Sequence, residues 1–98
     1  MEFLVTFEIA GLSELPEDQI RDLRQQEKDR GEEHIRAGRL LRMWRLPGQQ
    51  AAIGVWNVAD ADELHEHLSG LPLFPYLNVS VAPLARHYLE EGPAFAER

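Results

Sequence analysis

The sequence predicts an α+β sandwich of order β-α-β-β-α-β, a four-stranded antiparallel sheet with two helices on one face. Three observations predict it. Residues 2–9 alternate large apolar side chains with others, the period of a half-buried strand. Segments 39–47 and 50–58 read as strands joined through Gly48, so they pair as a hairpin. A helix with start and stop signals falls on either side of that hairpin.

Taken in order, Phe3, Val5, Phe7 and Ile9 share one face of the first strand, and Leu4, Thr6 and Glu8 the other. Residues 11–15 form a loop. Pro16 at a first helical position, with Glu17 and Asp18 behind it, opens a helix that runs through Arg36-Ala37. Gly38 stops it as a left-handed cap. After the hairpin, Asp60 with Glu63 three residues on reads as a capping box. The helix it opens turns Leu64 and Leu68 inward and ends at Gly70. Leu71 to Tyr76 is a connector stiffened by Pro72 and Pro75, and a last strand spans about 77–87. This is the split βαβ, or ferredoxin-like, arrangement. Residues 1–87 are expected to form the domain, and 88–98 a charged C-terminal tail. Apolar residues occur on both faces of strands 1 to 3, so the sheet face away from the helices is expected to be buried between subunits.

The chain has 98 residues, enough for one domain with a thin core that oligomerisation would support. Its net charge of -7 argues against a general nucleic-acid or anionic-membrane partner. It leaves open a small anionic ligand held by a local arginine cluster. With no cysteine, thiol catalysis, disulfides and thiolate metal sites are excluded. No apolar run approaches the roughly 18 residues of a membrane helix, and the N-terminus lacks signal-peptide features. A cytoplasmic protein is the default expectation.

Glu27 is the strongest candidate for chemistry. Ile20, Leu23, Glu27, Gly31 and His34-Ile35 recur at helical spacing, which predicts that Glu27 points toward the core. Partial dehydration there raises a carboxylate's pKa and makes it a better base near neutrality. Gly31 costs roughly 1 kcal/mol in a helix interior, which makes sense if space is needed beside Glu27. The alternative is a solvated residue on the edge of a charged helix. On the second strand Arg42 and Trp44 share one face and Arg45 takes the other. Arginine clamps carboxylates with paired hydrogen bonds, and Trp offers a flat apolar wall, although an arginine on a strand is commonly just an exposed charge. Trp56 reads as packing. Leu73, Phe74 and Tyr76 in a locked loop suggest a pocket wall or subunit contact, or a plug of the core. His65 and His67 point about 200° apart on a helix and cannot share a metal. No His/Asp/Glu cluster has metal-ligand spacing, and no glycine-rich phosphate loop or serine nucleophile motif is present. A cofactor-free acid–base site is the chemistry these residues support.

Glu27-Lys28, Gly38, Trp44-Arg45 with Gly48, Leu64-His65, the Leu71 to Tyr76 connector and Arg86-His87 together resemble the muconolactone Δ-isomerase family. The resemblance covers roughly residues 2–87. It implies a ferredoxin-like fold, no metal or cofactor, and homo-oligomers, typically decamers, in which tails help close neighbouring sites. It also implies a 1,3-proton shift on an unsaturated lactone in aromatic-compound degradation, turning muconolactone into 3-oxoadipate enol-lactone. On that reading Glu27 is the base with Lys28 beside it, and Arg42, Trp44, Arg45, Gln49, Phe74 and Tyr76 contact the substrate. Three stretches depart from the family pattern. Arg42 stands where a His usually does. Gln49-Gln50-Ala51-Ala52 replaces His or Glu, an aromatic, then Ala-Asn. Tyr88-Leu89-Glu90 replaces Pro-Ser-Ser. These changes fall on the expected pocket rim and the tail, so a related lactone is an alternative substrate. A cofactor-independent monooxygenase, a tailoring cyclase and a non-catalytic small-ligand binder remain rival readings on the same fold.

Overall fold

The computed structural model describes all 98 residues. Four strands, β1 (Glu2–Ile9), β2 (Leu40–Arg45), β3 (Ala51–Asn57) and β4 (Leu77–Leu84), form one antiparallel sheet in the order β2-β3-β1-β4. Helices α1 (Glu17–Arg36) and α2 (Ala61–Ser69) separate them as the sequence predicts, and a short α3 (Pro93–Glu97) ends the chain. The expected ferredoxin-like arrangement is therefore observed. No helix is long and apolar enough to cross a membrane.

Local chemistry sets the boundaries. Pro16 proves to be the residue before α1 rather than its first turn, because its φ of -57° suits the helix while its ψ of 146° is extended. At the other end Gly38 adopts φ 77°. Its N–H donates to the Ile35 carbonyl and the Arg39 N–H to the His34 carbonyl, both at 3.0 Å, which closes the helix in a Schellman turn. Pro47 and Gly48, the latter at φ 77°, turn β2 into β3, with the Gln49 N–H donating to the Leu46 carbonyl at 3.2 Å. The Glu63 N–H donates to Asp60 Oδ1 at 2.9 Å at the start of α2, while the Glu63 carboxylate reaches one residue past the cap to accept from the Ala59 N–H.

Phe3, Val5 and Phe7 of β1 pair with Trp56, Gly54 and Ala52 of β3, so these positions share a face. Leu64 and Leu68 of α2, with Leu40, Val58 and Leu71, complete the cluster packed on it. His34 of α1 is buried there too, its ring 4.9 Å from that of Trp56. The core is thin, with 13 of the 98 residues buried. Gly54 lies inside it because a Cβ there would sit 3.2 Å from Leu40 Cδ1 and 3.3 Å from the Arg42 carbonyl.

Two expectations about α1 need correction. Ile35 is exposed and His34 takes the inward position, since the stripe 20, 23, 27, 31 continues at 34. Gly31 has open space where a Cβ would be, so this chain alone does not demand a glycine beside Glu27. The last strand stops at Leu84, and the segment after it folds into a 3-10 turn (Tyr88–Glu91) and α3 instead of continuing extended. Tyr88, Leu89 and Phe95 are exposed on this tail. The radius of gyration is 15.4 Å, against about 13 Å for a compact chain of this length, and the long dimension is 52 Å. The tail therefore reaches away from the sandwich.

Candidate active site

A cleft of about 680 Å³ opens between α1 and the end of the sheet where β1 and β2 finish and β3 begins. Phe7, Ile9, Met43, Leu73 and Leu77 give it apolar walls, while Arg24, Glu27, Arg45, Gln49 and Gln50 supply the polar groups. Trp44 borders it from β2, the edge strand.

Glu27 is half-buried in this cleft. Its Oε1 accepts the Leu73 N–H at 3.1 Å, and Oε2 has no protein donor. Burial raises the carboxyl pKa, and the Leu73 N–H and the Arg30 charge only partly oppose that rise. The hydrogen bond explains the stiff connector. Pro72 and the 3-10 turn Phe74–Tyr76 hold the Leu73 amide in place, so it fixes one carboxylate oxygen and leaves the other open. Arg24 and Arg45 make no ion pair or side-chain hydrogen bond with the protein, in contrast to Lys28, Arg30 and Arg36, which pair with glutamates along α1. An apolar cleft with one partly dehydrated carboxylate and two uncommitted guanidinium groups can hold a small anion and exchange a proton with it.

The structure brings Glu27, Arg45 and Gln49 together, keeps Trp44 at the rim with its ring on the sheet face opposite the helices, and leaves four other expected residues outside. Lys28 is solvated and lies 3.9 Å from Glu32, because one residue past Glu27 is a 100° turn away. Arg42 pairs across β3 with Val55, on the sheet face opposite the helices, where its guanidinium lies 4.9 Å from the Trp44 ring. Phe74 and Tyr76 do not line the cleft. The 3-10 turn folds Phe74 back onto the core cluster, and Leu73 and Leu77 form the wall instead. Arg24 and Met43 were missed as cleft residues. Arg24 had a signal, its position one turn before Glu27 on the same helix. Met43 had the weaker one of a strand residue next to Trp44.

The fold and cleft together define a small α+β protein with a half-buried carboxylate in a largely apolar cleft. The comparisons narrow this to one family. Residues 1–90 match the family model described as muconolactone delta-isomerase. Muconolactone Delta-isomerase of Cupriavidus pinatubonensis is 36% identical over 87 residues, 89% of this chain and 95% of that protein. The enzyme of the same name from Acinetobacter baylyi is 36% identical over 87 residues, 89% of this chain and 91% of the relative. That from Rhodococcus opacus is 46% identical over 61 residues, 62% of this chain and 66% of the relative. A crystal structure of muconolactone isomerase superposes with a TM-score of 0.84 at 31% identity, covering 90% of this chain and 92% of that one. The chain belongs to the muconolactone Δ-isomerase family.

Proposed function

We propose that this chain isomerises muconolactone, or a close lactone relative, to the enol-lactone by a 1,3-proton shift within aromatic-compound degradation. The observation that carries the reading is the Glu27 carboxylate, partly dehydrated and anchored through one oxygen, in a cleft that the unpaired Arg24 and Arg45 also line. The lactone carbonyl acidifies the ring C–H in conjugation with it. Glu27 Oε2 takes that proton, and the electron pair flows through the double bond into a dienolate. The same carboxyl returns the proton to the carbon two positions away, so the double bond moves and nothing is oxidised or reduced. Arg45 stabilises the developing oxyanion, and Gln49 orients the ring. General base catalysis supplies about 10²–10⁴-fold, and charge stabilisation at the oxyanion supplies much of the remainder.

The assembly belongs to the same proposal. A thin core, half-buried Leu4, Ile53 and Val55 on the sheet face opposite the helices, and a projecting tail with exposed Tyr88, Leu89 and Phe95 favour a homo-oligomer, for which the family resemblance implies a decamer. Residues 88–98 then act as a separate arm that reaches a neighbouring subunit. The proton shift is tested by following muconolactone with proton NMR in the presence of the purified protein. Conversion to 3-oxoadipate enol-lactone is expected. A protein that leaves muconolactone and its ring-substituted analogues unchanged refutes the reading. Light scattering tests the assembly, and a stable monomer at micromolar concentration overturns it.

A further inference from the structure

A second, smaller chamber of about 160 Å³ adjoins the main cleft, walled by Gly11, Leu12, Ser13 and Ile20. Ile9, Arg24 and Gln50 line both spaces and so form the neck between them. Arg24 is the charged residue at that neck, one helical turn before Glu27. Most basic residues of α1 are committed elsewhere. Lys28 and Arg36 pair with Glu32, Arg30 pairs with Glu33, and Arg30 also donates to the Gly70 carbonyl at 3.2 Å. Arg24 has no such partner. On a chain of net charge -7, an unpaired guanidinium between two chambers is a local attraction for an anion. The chamber also has the right size. Its volume of about 160 Å³ against 680 Å³ for the main cleft suits a short arm and not the lactone ring.

We propose that Arg24 binds the carboxylate arm of the substrate at this neck, with the arm directed into the side chamber and the lactone ring left in the main cleft beside Glu27. The proposal rests on the lactone isomerase reading above and adds a division of labour between the two arginines. Arg45 faces the ring carbonyl, where charge develops during reaction. Arg24 holds a carboxylate whose charge is the same in ground and transition states. Interactions that do not change along the reaction lower KM and leave kcat alone.

The test is steady-state kinetics of wild type, Arg24→Met and Arg24→Lys on muconolactone and on its neutral methyl ester. For Arg24→Met, KM for the acid is expected to rise about 10- to 100-fold, the range of a charge-assisted hydrogen bond. Its kcat should stay within about threefold, and the ester should be used as wild type uses it. Arg24→Lys should recover part of the loss, because it keeps the charge without the paired donors. Equal damage to acid and ester overturns the proposal, as does a fall in kcat at unchanged KM. If the wild type turns over neither compound, the isomerase reading fails, and calorimetric titration with the saturated carboxymethyl lactone decides the role of Arg24 separately. Binding to wild type that Arg24→Met abolishes supports it. Binding equal in both, or absent from both, overturns it.

Discussion

Replacing Glu27 with Gln separates the chemistry of the cleft from its architecture. The Leu73 N–H, now 3.1 Å from Oε1, can donate equally well to a Gln amide oxygen, so the link between α1 and the connector survives. Two opposing energies then change. A hydrogen bond to a charged acceptor contributes about 1.5–3 kcal/mol and one to a neutral acceptor about 0.5–1.5 kcal/mol, so roughly 1 kcal/mol is lost. Against that, the half-buried carboxylate no longer carries the dehydration that raises its pKa. The two offset each other, and Tm should move by no more than about 4–8 °C, the shift of about 1 kcal/mol in a domain of this size. Activity has no such compensation. An amide cannot accept the proton, so turnover of muconolactone should fall at least ~10²-fold. The assay is proton NMR in deuterated water, which also reads the fate of the transferred proton. Wild type should incorporate some deuterium at the receiving carbon, because Glu27 stands in a cleft open to solvent. Folded Glu27→Gln with activity within tenfold of wild type would refute the assignment of Glu27 as base.

Further outcomes follow from the same geometry. Because burial raises the Glu27 pKa and the base must be ionised, the acid limb of the kcat/KM profile should lie above 4.5, the ordinary carboxylate value, and Arg30→Gln should move it further up. His34 is held neutral, its pKa pushed down to about 4 by burial and by the neighbouring Arg39, His67 and Arg30, with Glu33 opposing. The unfolded chain therefore binds more protons between about 4 and 6.5, and stability should fall over that window by roughly 3 kcal/mol as pH drops, read by urea unfolding and flattened in His34→Leu. Gly31→Ala should raise stability by up to about 1 kcal/mol in thermal unfolding without loss of turnover, since a methyl group there meets nothing within 4 Å. Gly54→Ala should destabilise by about 1–3 kcal/mol in the same assay, because its methyl presses on Leu40 and the Arg42 carbonyl.

The order of elements was legible because each has a local cause. Alternation marks β1, Gly38 and Gly48 mark reversals that require positive φ, and Asp60 with Glu63 marks the start of α2. Glu27 was legible for the same reason, since helical period alone places it with Ile20 and Leu23. Arg42 was misplaced because strand alternation says which residues share a face but not which face meets a helix. Phe74 and Tyr76 were misplaced because the sequence reveals a rigid connector without the direction of its 3-10 turn. The His34 environment depends on α1, α2 and β3 at once, through Trp56 at 4.9 Å and His67 at 5.1 Å, and no local pattern encodes it.

The Leu73 to Glu27 hydrogen bond ties these levels together. Leu73 is itself buried, and its amide is held by a connector that must also fill the core with Leu71 and Phe74. The residues that complete the sandwich therefore also aim the carboxylate. A change that loosens the connector, such as Pro72→Gly, has little chemistry of its own. It releases backbone entropy in the unfolded chain and frees the amide that fixes Oε1. Both stability and turnover should fall together in that variant, whereas Glu27→Gln should lower turnover alone. The contrast between the two variants separates a base that is merely present from one held in place, because a misplacement on the order of 1 Å can cost about 10²-fold in rate.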